Sequence, residues 1–348
     1  MELLDTSASD LISRFREEKA RLITASHRDA ITRIEQMIQA ERIDCDFMRC
    51  PGYLFAKDEK ETKELEEEIA ALAKVGTKAT FGKESLSHLR MSSYIKVENQ
   101  AKFHPLKFLF ALAEATANAG VRIFEQTEIT KVVEGSTKIL HAASGQTVRA
   151  RYVLEATHYP LSPQPSMLKF KKAWYTTYVI EALLAKKTLP EALFEDLALP
   201  YHYARIDSFP DSDRLIIGGE DHRSDVQMDE ANSFTALESF IKEILPDIPY
   251  EITRKWKGKI VEPGDGIAHI GITHEGSPFF ATGYSGNGLT YAIIPAELFK
   301  DHVDGVPNKL SSVYSAQRRL SLRTYLPKAA EYIYEFIGGA AKNILHRH

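Results

Sequence analysis

The chain has 348 residues, 44 basic and 48 acidic, for a formal net charge of −4. At roughly 150 residues per domain that length suggests about two domains, and an apolar share of 44% can bury a sizeable core. The balanced charge argues against a general nucleic-acid binder or a membrane-surface protein, and no apolar run approaches the ~20 residues of a membrane span.

The start, Met1 to Asp10, is polar and acidic and does not read as a signal peptide. Asp5, Thr6, Ser7 and Ser9 offer caps for a helix, and Leu11, Ile12, Phe15, Leu22, Ile23, Ile31, Ile34, Met37 and Ile38 follow at helical spacing. Cys45 and Cys50 are the only cysteines. Two thiols make no disulfide framework, which points to a reducing, cytoplasmic setting. They are also too few for a closed zinc or iron–sulfur site, so no metal is expected. Pro51-Gly52 introduces a short strand at Tyr53–Ala56. Residues 57–74 predict a helix with Leu65, Ile69 and Leu72 inward and an acidic face in water.

Pro105 to Asn118 is the clearest helix, with Pro105 in its first turn, Leu106, Leu109, Leu112 and Ala113 as a stripe, and Gly120 as a C-terminal cap. Val121–Phe124 reads as a strand. Ile129–Val133 and Lys138–Ala142 read as a hairpin across Gly135-Ser136, and Arg151–Ala156 as a strand closed by Pro160, Pro163 and Pro165. Trp174–Leu184, Tyr201–Ile206, Arg214–Gly219 and Thr253–Lys259 predict an antiparallel sheet, covered by a helix at Asn232–Ile244. From Pro278 the pattern returns to strand, glycine loop and helix. Tyr332–Leu345 reads as a weakly amphipathic helix. The alternation implies an α/β domain of outer pieces with a mixed sheet inserted into it.

The strongest local signal is Phe279-Phe280-Ala281-Thr282-Gly283-Tyr284-Ser285-Gly286-Asn287-Gly288-Leu289. A strand runs into three glycines, and a helix begins near Leu289. A helix start presents free N–H groups and partial positive charge, which suits an anion. The spacing is G-x-x-G-x-G rather than the dinucleotide G-x-G-x-x-G. A tight turn packing a helix on a sheet explains the spacing equally well.

Other residues carry weaker signals. His104 before Pro105 reads as a cap. His158 reads as a loop histidine at a strand end. Glu220, Asp221 and His222 have the chemistry for acid–base work, although a strand-end turn accounts for them. Trp174, Thr176 and Tyr178 share one strand face, and Tyr175 and Thr177 the other. Tyr53, His202 and Arg205 are candidates for one cavity, where an arginine would pair with a substrate carboxylate. Arg318, Arg319 and Arg323 read as a helix face.

Four motifs together resemble the flavin-dependent oxidoreductases of the D-amino-acid oxidase type, which include glycine and sarcosine oxidases. They are Ala281–Leu289; Trp256-Lys257-Gly258 with Asp265-Gly266-Ile267-Ala268-His269-Ile270-Gly271; Tyr152-Val153-Leu154-Glu155-Ala156-Thr157-His158; and Phe103-His104-Pro105-Leu106. The likeness runs from about residue 5 to about residue 305. It looks nearest to a bacterial branch often fused to a Rieske domain. No Cys-x-His pair occurs here, so that domain is not expected.

The resemblance implies FAD as cofactor and an amine or amino acid as substrate, oxidised at a C–N bond by hydride transfer to flavin N5. It places Gly283, Ser285, Gly286, Gly288 and Leu289 against the flavin, and Tyr284 and Asn287 beside the ring. The backbone of Val132 would flank the adenine. Ala156, Thr157 and His158 would run near the pyrophosphate, and Gly266 belongs to the turn of the second motif. Arg205 would orient a carboxylate, and the strand of Tyr178 would roof the substrate.

Two departures stand out. Ala268 occupies a position where the family's turn has proline. More seriously, relatives open with strand, G-x-G-x-x-G and helix, which cradle the pyrophosphate, whereas Gly52 is the only glycine among the first 60 residues. The expectation is therefore α/β (α+β): an incomplete FAD-binding doubly wound domain (1–47, 101–160, 261–305), an inserted mixed antiparallel-sheet substrate domain (48–100, 161–260) and a C-terminal helical tail (306–348). The alternative to an active enzyme is an N-terminally truncated remnant, or a subunit whose partner chain supplies the missing segment.

Overall fold

The computed structural model describes residues 1–162, 172–226 and 228–318. Helix α1 (Ala8–Ala40) starts at Ser7, whose hydroxyl accepts the amide of Asp10, and kinks at Arg16, where φ is 67°. Its apolar positions recur every three or four residues, so Leu11, Ile23, Ile31, Ile34 and Ile38 are buried along one side. Next come β1 (Met48–Ala56), α2 (Glu59–Lys74), β2 (Ala79–Gly82) and β3 (Ser93–Lys102). After them stand α3 (Pro105–Asn118) and a small antiparallel sheet of β4 (Ile129–Val133), β5 (Lys138–Ala142) and β6 (Thr147–Ala150). The hairpin and α3 fall where their turn and cap residues predict. Strand β3 and strand β6 were not anticipated.

A short β7 (Leu154–Glu155) leads to β8 (Lys172–Ala185), β9 (Leu193–Asp196), β10 (His202–Ser208) and β11 (Ser212–Arg223). Helix α4 (Glu230–Ile244) and β12 (Tyr250–Pro263) follow. One eight-stranded sheet runs β12-β8-β11-β10-β9-β1-β3-β2. Alternation divides its side chains between two faces. Tyr178, Ile180, Ile206, Leu215 and Ile217 pack beneath Leu237, Phe240, Ile241 and Ile244 of α4. The opposite face carries Thr177 and Tyr203, whose hydroxyl oxygens are 3.3 Å apart.

The remaining strands, β13 (His269–Gly271) and β14 (Phe279–Thr282), form a three-stranded sheet with β7, which lies parallel to β14. Helices α5 (Gly288–Asp304) and α6 (Lys309–Tyr314) complete the described chain. α1, α5, α6 and this sheet share a core of Leu11, Ile23, Phe279, Ala281, Tyr291, Ile294, Leu298 and Tyr314. Each large apolar side chain fully removed from water there contributes roughly 1.5–3 kcal/mol. That core fixes the position of the turn joining β14 to α5.

Three expectations are corrected. Val121–Phe124 forms no strand: it pairs with no described neighbour, and Phe124 is 69% exposed. Arg151–Ala156 contracts to β7. The apolar stripe of α3 is largely uncovered, with Leu106, Leu109 and Phe110 all exposed and no residue of the helix buried. Pro163, Pro165, Arg319, Arg323 and Tyr332–Leu345 lie outside the described residues. No described helix is long and apolar enough to cross a membrane.

Candidate functional site

Strand β14 delivers the chain to Gly283, which turns at φ +80°, and Ser285 follows at φ 47°. The Ser285 amide donates to Val261 O (3.1 Å), docking the loop on the end of β12. Helix α5 then begins at Gly288 with Asn287 as N-cap, but the Asn287 side chain makes no capping bond. Its Oδ1 accepts from the Asp5 amide (3.2 Å), and its Nδ2 donates to Leu3 O (3.3 Å). The Gly286 amide donates to Asp5 Oδ2 at 2.7 Å. A Cβ on Gly288 would meet nothing within 4 Å, and Leu289 is half exposed. The helix start is therefore accessible, with one of the chain's own carboxylates beside it.

Two further segments meet this loop. Thr282 Oγ1 donates to His158 O (2.7 Å), bringing Ala156, Thr157 and His158 to the end of β14. The His158 ring lies 5.1 Å from Trp174. On the other side, Thr6 Oγ1 donates to Gly266 O (3.0 Å). Gly266 has φ +84°, and a Cβ there would stand 2.2 Å from Thr6 Oγ1, so the turn requires glycine on both counts.

Tyr201 approaches the loop from the eight-stranded sheet: a Cβ on Gly286 would be 3.2 Å from its hydroxyl. Around it stand Tyr203, Thr177, Asp221 and Glu262. Both oxygens of the Asp221 carboxylate are sealed from solvent, with the Thr177 and Tyr201 hydroxyls as their neighbouring donors. Burial, reinforced by Glu262 and Asp5, pushes Asp221 up to about 7 despite the nearby Thr177 and Tyr201 hydroxyls. A cavity of about 370 Å³ opens beside Asp5 and Tyr201. Glu195 lines it, raised to about 8 by burial and then by Asp5.

Residues 7–301 match the family described as FAD dependent oxidoreductase. The chain belongs to that FAD-dependent oxidoreductase family. Among curated relatives, it is 24% identical over 332 residues to YhfW of Bacillus subtilis (strain 168), named as a Rieske 2Fe-2S iron-sulfur protein. That match covers 94% of this chain and 64% of YhfW. It is 23% identical to the gamma-glutamylputrescine oxidoreductase of Escherichia coli (strain K12), over 78% of this chain and 65% of that protein. The chain thus spans just under two thirds of the length of these two relatives. Glycine oxidase from Geobacillus kaustophilus superposes with a TM-score of 0.70 at 19% identity, covering 87% of this chain and 84% of that one. L-proline dehydrogenase from P. horikoshii gives 0.69 at 16% identity, over 85% and 83%. At such identities the structural likeness establishes the fold.

Within this FAD-dependent oxidoreductase fold, the sequence-predicted residues divide. The structure brings together Gly266, Gly283, Ser285, Gly286, Asn287, Gly288 and Leu289, with Ala156, Thr157 and His158 alongside. Val132 stands on the separate hairpin sheet, its side chain buried. Tyr284 turns inward and stacks on Tyr291 with ring centroids 5.3 Å apart. Burial raises its phenol well above the ordinary range.

Tyr178 and Arg205 do not reach the loop. Tyr178 lies on the face under α4, with its hydroxyl 3.0 Å from His222 Nε2 and its ring edge-on to Phe234. Arg205 is engaged structurally, donating to Asp207 Oδ2 (2.6 and 3.1 Å) and Phe103 O (3.0 Å). Tyr53 and His202 also face α4. His202 stacks on Phe240 at 3.7 Å, with Asp196 and Glu220 at 2.8 and 3.1 Å from its two ring nitrogens.

Sequence reasoning missed Asp5 and Tyr201. Asp5 read only as a helix cap, and nothing near it in the chain signals its partner at Gly286.

The residues present suit one end of a flavin better than the other. The uncapped start of α5 and the open space over Gly288 fit a group carrying negative charge. No G-x-G-x-x-G occurs in the 348 residues to meet the phosphates.

Proposed function

We propose that this chain forms the flavin-facing and substrate-facing parts of an oxidoreductase that oxidises a C–N bond of an amine or amino acid. The observation that carries the reading is the convergence of the glycine loop, the open start of α5 and the Ala156–His158 segment below the Tyr201–Tyr203 end of the large sheet. Support also comes from the family match and from relatives named as a glycine oxidase and a gamma-glutamylputrescine oxidoreductase. In this reading the outer α/β pieces hold FAD and the eight-stranded sheet roofs the substrate.

Gly286 and Gly288 let the cofactor approach the backbone, and the α5 start favours negative charge on it. Val132 would contribute backbone contacts from the hairpin. Ala156–His158 would line the path toward the phosphates. When bound, FAD supplies the redox chemistry, taking a hydride equivalent from the substrate carbon at N5. Tyr201 and Tyr203 would close the roof and exclude water. The test is flavin titration of the purified chain, followed by fluorescence, with release on denaturation as a check. Saturable stoichiometric binding supports the reading. No binding, even when a strand–G-x-G-x-x-G–helix segment is supplied, overturns it.

The bare apolar side of α3 favours a second reading, in which a strand–loop–helix segment of a partner chain covers Leu109, Phe110 and Phe124. Flavin binding that requires such a segment supplied in trans would select this reading over self-sufficiency.

A further inference from the structure

Arg318 reads from sequence as part of a helix face with Arg319 and Arg323. The structure places it instead beyond α6, which ends at Tyr314, with its side chain only 8% exposed. Its guanidinium forks onto Asp265, Nε to Oδ2 at 2.6 Å and Nη2 to Oδ1 at 2.7 Å. The same group donates to two nearby carbonyls, from Nη2 to Ile267 O (2.6 Å) and from Nη1 to Ala268 O (2.7 Å). Asp265 is wholly buried. One side chain thus grips both ends of the turn that carries Gly266, between β12 and β13.

That turn reaches the glycine loop by three routes. β13 pairs antiparallel with β14, and His269 stands opposite Thr282, the residue before Gly283. The Ala268 amide donates to the Tyr291 hydroxyl (3.3 Å), and Tyr291 stacks on Tyr284. Gly266 O accepts from Thr6, whose neighbour Asp5 accepts the Gly286 amide. Docking of α6 does not account for Arg318. Val313 and Tyr314 are already buried in the core, the Tyr314 hydroxyl lies 2.8 Å from Ser26 Oγ, and the Ala316 amide donates to Ile270 O at 3.2 Å.

We infer that Arg318 is a positioning residue for the glycine loop: its grip on residues 265–268 sets where β13 meets β14, and so where Gly283–Gly288 stand. The consequence for flavin rests on the proposed oxidoreductase site, whereas the link from turn to loop does not. Lysine offers a point charge in place of the planar fork, so it replaces only part of this grip.

The test uses Arg318→Gln and Arg318→Lys in the full chain, with two readouts. The first is hydrogen exchange of the flavin-free protein. Arg318→Gln should speed exchange both in 265–271 and in 281–291, while β10 and β11 keep their wild-type protection. The second is FAD affinity, by fluorescence titration below the melting temperature. Arg318→Gln should weaken FAD by about tenfold, and Arg318→Lys should recover part of that loss.

Removing the partner of a buried carboxylate is destabilising. If Arg318→Gln does not fold, Arg318→Lys carries the test, because it keeps a cation opposite Asp265. It should show the same two-segment exchange pattern at smaller amplitude. Faster exchange confined to 265–271, or spread evenly through the chain, overturns the inference, and so does unchanged FAD affinity in Arg318→Gln. If the wild type takes no FAD even with a strand–G-x-G-x-x-G–helix segment supplied, the oxidoreductase reading falls. The exchange pattern then decides the inference by itself.

Discussion

Asp5 Oδ2 accepts the amide of Gly286 at 2.7 Å, across 281 residues of sequence. A carboxylate from the start of the chain thus stands at the loop whose helix dipole would otherwise serve a bound anion. Asp5→Ala removes that competitor. Flavin affinity should rise about two- to fivefold, the scale of a charge at a helix terminus. Fluorescence titration of the variant checks this. A loss of affinity would mean that Asp5 organises the loop rather than competing for it.

His202 gives a stability signature. Burial lowers its pKa, but hydrogen bonds to Asp196 and Glu220 outweigh burial and raise it to about 9. The folded value lies above the unfolded one, near 6.5, so its contribution is complete below about pH 6.5 and is lost as pH rises through 9. The loss should be at most about 3 kcal/mol. Denaturant midpoints at pH 6.5 and 9.5 measure it, and His202→Gln should flatten the difference.

Gly266→Ala should destabilise the fold by about 1–3 kcal/mol, because the residue must hold a positive φ and its new methyl meets Thr6. Adding Thr6→Ala should recover only the part due to the contact. Full recovery would show that the backbone conformation carries no strain of its own.

Phe110 is 68% exposed in the middle of an apolar helix. Phe110→Lys should change stability by no more than about 0.5 kcal/mol while reducing self-association in light scattering. A large loss of stability would mean that the α3 face is covered in solution.

Much of the fold was legible where punctuation is local. Pro105 and Gly120 bound α3, and Gly135-Ser136 marks the hairpin. β3 was invisible for the opposite reason: its sequence, Ser93-Tyr-Ile-Lys-Val-Glu-Asn-Gln-Ala-Lys102, is half polar, and its stability comes from pairing on both sides with β1 and β2. The glycine loop announced itself through spacing and flanking strand and helix. Tyr178 lies away from the loop because period two separates two strand faces without saying which one α4 will cover, whereas Arg205 stands on the uncovered face and is taken up by Asp207 and Phe103 O, the latter a partner 102 residues away. The relation between Asp5 and Gly286 has no local trace at all.

That long separation also bears on the order of synthesis. The Asp5 segment leaves the ribosome some 281 residues before Gly286 exists. At about 5–20 residues per second, that is a delay of about 15–60 s. Through it, α1 must wait with Leu11 and Ile23 lacking their partners on α5 and β14. The sheet that packs on α4 can form from strands already emerged, whereas the layer holding the glycine loop can close only once β14 and α5 have emerged. Slow translation would prolong exposure of α1, making it a ready target for chaperones that hold apolar helices.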